Sequence, residues 1–164
     1  MINLAIADLW RVTVSDVELN RPGPSYTIDT IHHFKNTLSP GARIYLIMGL
    51  DAFLEIHTWK SHPDLLEQIA FIVMARPGEG HSDARQGWRI LEAYIKSSLS
   101  ADYQFDSARA CYTLAGKQSV YVIDVDALDI SSTEIREKVK KKQRIEKFVT
   151  PKVADYIRLK GLYR

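Results

Sequence analysis

An open α/β fold built on a parallel sheet follows from two features of the sequence. Residues 44–48, 71–75 and 120–123 are uninterrupted apolar runs of strand length. They lack the alternation of a half-solvated strand, so they suit parallel strands covered on both faces. Helical stretches around residues 51–56, 62–69 and 87–96 lie between them, and this alternation places helices beside an open sheet. The totals agree: 164 residues, 46% hydrophobic and 26% charged, describe a soluble globular chain rather than a disordered, collagenous or membrane one.

The elements read in order as follows. Residues 2–9, with Ile2, Leu4, Ile6 and Leu9 among alanines, read as the end of a helix. Residues 11–19 place Val12, Val14, Val17 and Leu19 on a strand pattern with a slip at Asp16. Asn20-Arg21-Pro22-Gly23-Pro24 breaks it, and Ser25 is placed to cap a helix that buries Ile28, Ile31 and Phe34 and ends at Pro40-Gly41. Residues 78–117 form the least regular connection, and residues 103–116 carry no assignable element. No repeat or low-complexity linker divides the chain, so residues 1–164 count as one domain.

Cys111 is the only cysteine, which excludes an intrachain disulfide and points to a reducing, cytoplasmic compartment. On its own it reads as a small buried apolar residue. The start of the chain has neither the basic region nor the apolar length of a signal peptide or membrane span. The net charge of +2 hides an asymmetry, because residues 134–164 hold 11 Lys/Arg against 4 Asp/Glu. That surplus reads as a solvated helical face or as a surface for anions. Nothing resembling a nucleic-acid recognition motif accompanies it.

Four segments carry candidate chemistry. Gly49-Leu50-Asp51 follows the first apolar run, at a strand's carboxyl end where open α/β sheets take their ligands. Glycine admits a close approach and an aspartate accepts hydrogen bonds from a ribose or base, although Asp51 can equally be a helix cap. Arg76 before Pro77-Gly78 ends the second run and can meet phosphate oxygens, or serve as an ordinary surface arginine. Ser131 and Glu134 have capping-box spacing. A helix starting there offers free N–H groups, the hydroxyls of Ser131, Ser132 and Thr133, and Arg136, which together suit an anion. Trp59, in a loop, is placed either to stack on a planar ring or to pack. The five histidines show no metal-ligand spacing, so no protein metal site is expected.

Taken in order, residues 20–30, Gly49-Leu50-Asp51, the Trp59 loop, residues 75–78, 129–136 and 153–163 resemble the bacterial nicotinate mononucleotide adenylyltransferase family of the HxGH nucleotidyltransferase superfamily. The similarity spans nearly the whole chain. It implies a Rossmann-like parallel sheet with flanking helices. The implied reaction is adenylyl transfer from ATP to nicotinate mononucleotide, giving deamido-NAD and pyrophosphate in NAD biosynthesis. By resemblance, Gly49 and Asp51 contact the adenosine and Arg76 lies near the nucleotide. Ser131, Ser132, Thr133 and Arg136 meet the ATP phosphates, and Thr27 and Trp59 hold the nicotinate ring. Mg2+ would arrive with ATP rather than in a protein cage. The implied partners are these small molecules, with no nucleic acid and no membrane.

The family pattern also contains a GxFDPxHxGH segment, and no H-x-G-H occurs in these 164 residues. Met1 aligns within a helix downstream of it. The resemblance therefore implies that a strand-helix-strand unit of more than about 30 residues is missing, and with it the catalytic histidines. Its loss would expose apolar sheet edges and favour self-association into a homo-oligomer. Two accounts follow: an adenylyltransferase whose sequence starts late, or a short nucleotide-binding or assembly module without catalysis. A phosphopantetheine adenylyltransferase is a further alternative, although it leaves residues 25–30 and Trp59 unexplained.

Overall fold

The structure, a computed structural model, describes residues 1–75, 84–125 and 130–164. In chain order the helices are α1 (Ile2–Ala5), α2 (Thr27–Thr37), α3 (Leu50–Leu54), α4 (His62–Gln68), α5 (Ala84–Tyr94), α6 (Ser132–Lys140) and α7 (Pro151–Lys160). The strands are β1 (Tyr45–Gly49), β2 (Ala70–Ala75), β3 (Gln104–Asp106), β4 (Cys111–Thr113) and β5 (Val120–Asp124). A 3-10 turn, Ile56–Thr58, follows α3, and a π-helical turn, Ile95–Leu99, extends α5. These elements fall into two compact units, one from residues 21–127 and one from residues 1–20 with 128–164.

The larger unit holds a sheet in the order β1-β2-β5-β4-β3. The three apolar runs form its parallel part, with Met48 beside Val73 and Val73 beside Val122. The segment 103–116, which has no sequence pattern, supplies β3 and β4 as an antiparallel extension. Strands of three residues are too short to show a period, and the turn between them is set by side chains instead. Asp106 accepts the N–H groups of Ala108 and Arg109 at 3.0 and 3.1 Å and the Arg109 guanidinium at 2.6 Å. Ala110 then takes a left-handed φ of 49°.

All four helices of this unit pack on one face of the sheet. Ile28 and Ile31 of α2, Phe53 of α3, Leu65 and Leu66 of α4 and Leu91 of α5 are buried with Phe71, Val73, Val120 and Val122. Phe53 and Phe71 meet edge-on at 5.6 Å, and each fully buried side chain of this kind contributes about 1.5–3 kcal/mol. Gly87 lets α5 lie close, since a Cβ there would sit 3.3 Å from Cβ of Ala75.

The expectation of strands covered on both faces is therefore corrected. Register puts Tyr45, Ile47, Ile72, Met74, Tyr121 and Ile123 on the opposite face, where Ile47 is 60% and Ile123 40% exposed. An apolar run reports two apolar faces, not that both are covered. Three smaller readings are corrected as well. Residues 11–19 form no strand, and Val12, Val14 and Leu19 are exposed. The slip at Asp16 breaks the alternation, and no strand among the described residues pairs with them. Helix α1 stops at Ala5, without a side-chain cap hydrogen bond. Helix α2 starts after Tyr26, not Ser25, and ends at Thr37, ahead of Pro40, whose ring disfavours helical backbone in the residue before it.

In the smaller unit Ile145, Val153, Ala154 and Ile157 form a core with Leu4, Ile135, Val139, Val149 and Leu162. Pro151 opens α7, and Gly161, at a φ of 61°, closes it as the Leu162 N–H donates to the Ile157 carbonyl at 3.0 Å. Lys138 and Lys140 pair with Glu134 and Glu137 of their own helix at 3.3 and 2.7 Å, as a solvated face does. No helix among the described residues is long and apolar enough to cross a membrane.

Candidate functional site

The carboxyl ends of β1 and β2 form one edge of the larger unit, with Gly49 of β1 in register with Met74 of β2. Gly49 leads directly into α3, whose first turn contains Asp51. Asp51 makes no cap hydrogen bond there. Its carboxylate lies against the α-carbon of Gly49, so any side chain at 49 would collide with Asp51 Oδ1. The expected glycine and carboxylate thus meet at the edge where ligands bind in such sheets. A third member was not expected: Asp124 ends β5 at the same edge and accepts a hydrogen bond from Trp88 Nε1 at 2.8 Å. Its sequence signal is an acid directly after the apolar run at residues 120–123. Arg76, Pro77, Gly78 and Asp129 lie outside the described residues.

Thr27 is the first residue of α2, and Trp59 follows the 3-10 turn, half-buried and packed on the main core. Sequence reasoning found both but not what joins their flanks. Lys60 Nζ donates to both carboxylate oxygens of Asp29, at 3.1 and 3.3 Å, and lies 4.5 Å from the centre of the Tyr26 ring. Arg21 donates to Thr30 Oγ1 at 3.2 Å, tying the Pro-Gly-Pro loop to the same first turns. On the other side of Trp59, the Tyr94 hydroxyl accepts the His57 backbone N–H at 3.3 Å and sits 2.9 Å from His57 Nδ1. Burial raises the Tyr94 phenol above its ordinary pKa, and the His57 backbone hydrogen bond partly offsets this.

In the smaller unit Ser131 caps α6, accepting the Glu134 N–H on Oγ at 3.1 Å. The Glu134 carboxylate turns to Lys138, so half of the capping box forms. Arg136 donates from Nη2 to Thr133 Oγ1 at 3.0 Å, which holds its guanidinium at the first turn as the spacing anticipated. Ser132 and Arg136 border a hollow of about 240 Å3 whose remaining walls, including Ile135, Val149 and Val153, are mostly apolar. A larger cavity of about 690 Å3, lined by Val139, Ile157 and Arg158 among others, includes none of the expected residues. Among the described residues no three His, Cys, Asp or Glu side chains converge as metal ligands.

Fold and edge geometry define an α/β protein that gathers Gly49, Asp51 and Asp124 at the carboxyl ends of its parallel strands. A model of the cytidylyltransferase-like family matches residues 1–138. A probable nicotinate-nucleotide adenylyltransferase of Desulfatibacillum aliphaticivorans is 35% identical over 164 residues, covering 99% of this chain and 73% of that protein. One of Moorella thermoacetica is also 35% identical, covering 100% of this chain and 66% of that protein. The chain thus spans about two-thirds to three-quarters of the length of these relatives. The Plasmodium falciparum nicotinic acid mononucleotide adenylyltransferase complexed with APC shares the fold, with a TM-score of 0.64 and 22% identity over 99% of this chain and 72% of that one. The chain belongs to the cytidylyltransferase-like family, on its nicotinate-nucleotide adenylyltransferase branch, a group of transferases.

Proposed function

We propose that the chain serves adenylyl transfer from ATP to nicotinate mononucleotide in NAD biosynthesis, in the cytoplasm. A phosphate oxygen of the mononucleotide attacks the α-phosphorus of ATP, the bond from that phosphorus to the bridging oxygen of the β-phosphate breaks, and deamido-NAD and pyrophosphate leave. The observation that carries this reading is the Asp51 carboxylate seated on Gly49 at the end of β1. The glycine lets the Asp51 carboxylate fold back over the strand end, and that carboxylate accepts hydroxyl or amino protons of the adenosine. Arg76 lies near the nucleotide in this reading.

The phosphates fall to the start of α6. Ser131, Ser132 and Thr133 offer hydroxyls and N–H groups at a helix N-terminus, and Arg136 adds a guanidinium that Thr133 holds in place. Mg2+ enters as the counter-ion of ATP, as part of the substrate. Thr27 donates to the nicotinate end of the acceptor, and Trp59 stacks on its ring. All of these residues bind and orient, and positioning with charge stabilisation supplies most of the catalysis in transfers of this type.

That same property supports a second reading. Every assigned residue binds and none reacts, which also fits a nucleotide-binding module without transfer. Titration calorimetry with a non-hydrolysable ATP analogue, followed by pyrophosphate release with nicotinate mononucleotide or phosphopantetheine as acceptor, separates the readings. Release with nicotinate mononucleotide supports transfer, binding without release supports the module, and no binding of the analogue rejects both.

A further inference from the structure

We infer that Lys60 is a positioning residue for the acceptor, acting through Asp29 and Tyr26; this rests on the reading that Thr27 and Trp59 hold the nicotinate ring. Lys60 is the neighbour of Trp59, while Tyr26 and Asp29 bracket Thr27. One ammonium spans the two segments, with Asp29 at 3.1 Å and the Tyr26 ring centre at 4.5 Å. It therefore fixes the Trp59 loop against the first turn of α2. The loop's other end is pinned separately by Tyr94 on His57, so Trp59 lies between two fastenings.

Charge gives Lys60 a second role. Nicotinate mononucleotide carries a carboxylate and a phosphate, and Asp29 is an acid two residues from Thr27. Unpaired, its carboxylate would repel the acceptor. Paired with Lys60, it presents a near-neutral surface. Lys60 and Asp29 remain 46% and 31% exposed, so the pair adds little to overall stability, and its effect should appear in the position of Trp59 and in acceptor affinity.

The two roles predict an unusual order among variants. Lys60→Met removes both contacts and uncovers the acid, Asp29→Asn removes the ion pair but keeps the ammonium on the Tyr26 ring, and Lys60→Arg retains both functions. Fluorine NMR of the full chain labelled with 5-fluorotryptophan, with the Trp59 signal assigned by loss in Trp59→Phe, reads the loop directly. Titration calorimetry with nicotinate mononucleotide reads affinity. Lys60→Met should shift or broaden the Trp59 signal and weaken the mononucleotide by about tenfold, and Asp29→Asn by about threefold. The double variant Lys60→Met/Asp29→Asn should fall between the two single variants, because it loses the fastening without uncovering the acid, and Lys60→Arg should match the wild type, with affinity for the ATP analogue unchanged throughout. An unmoved Trp59 signal in Lys60→Met overturns the inference whatever the ligand does. A moved signal in Lys60→Met, together with a wild-type chain that binds the ATP analogue but not nicotinate mononucleotide, overturns the acceptor reading of Thr27 and Trp59, and the acceptor role of Lys60 with it.

Discussion

The carboxylate of Asp51 occupies the space that a side chain on Gly49 would enter. Two residues that look like a loose strand-end motif are thus one steric unit, and substitution separates its structural and binding parts. Gly49→Ala forces the exposed Asp51 carboxylate to swing away, so urea unfolding should stay within about 0.5 kcal/mol of the wild type while binding of an ATP analogue is lost. Asp51→Gly should leave stability within about 0.5 kcal/mol and still lose binding. The double variant Gly49→Ala/Asp51→Gly should likewise keep wild-type stability without the affinity. Undiminished binding of the ATP analogue by Gly49→Ala would contradict the displacement of the Asp51 carboxylate from a binding position.

Ser131 permits a similar separation on α6. Its Oγ accepts the Glu134 N–H, so Ser131→Ala should cost the helix about 1 kcal/mol. Ser131→Asp preserves a good cap and a favourable charge at the helix N-terminus. It also places a negative charge where the proposed phosphates bind. The expected result is wild-type stability with at least a tenfold loss in ATP-analogue affinity, measured by chemical denaturation and calorimetry on the same samples. Retained affinity in Ser131→Asp would confine Ser131 to capping.

Much of this was legible because its causes are local. The apolar runs became β1, β2 and β5, the Ser131 spacing became a cap, and Gly49 and Asp51 stand at a strand's end. What escaped depends on distant partners. Strands β3 and β4 exist because Asp106 organises a turn and β5 offers an edge, neither of which has a period to read. Residues 11–19 show the converse, a strand-like alternation that finds no partner among the described residues. Lys60 could not be connected with Asp29 from spacing, since 31 residues separate them and only packing brings them to 3.1 Å.

Alkaline pH provides a test of the core that does not depend on ligands. Burial, assisted by the Glu92 carboxylate, pushes the Tyr112 phenol up to about 12. Tyr103, also buried, is raised by the same cause. A raised phenol keeps its proton in the folded chain after the unfolded chain has lost it near pH 10. Its stabilisation is therefore complete below pH 10 and is lost as pH rises from about 10 to about 12, by on the order of 2 kcal/mol for Tyr112. Urea midpoints should fall across that window. Tyr112→Phe should flatten the fall, and an unchanged slope in that variant would show that Tyr112 is not its source.

The uncovered sheet face predicts behaviour in solution. Ile47 and Ile123 stand on it with Tyr45 and Tyr121, whose rings lie 6.1 Å apart, and β1 forms an edge of the sheet as described. An apolar face beside a strand edge with unpaired N–H and C=O groups favours association between copies. Sedimentation velocity of the 164-residue chain should therefore depend on concentration. Ile47→Lys with Ile123→Lys should return it to a monomer. Ile47 is 60% and Ile123 40% exposed, so the double variant should unfold within about 1 kcal/mol of a dilute, monomeric wild type. The two measurements must be taken together: monomeric sedimentation of the wild type at all concentrations sinks the prediction. A marked loss of stability in the double variant, measured where the wild type is dilute and monomeric, would instead mean that the face is buried within a single copy, because only a buried isoleucine resists a charge strongly.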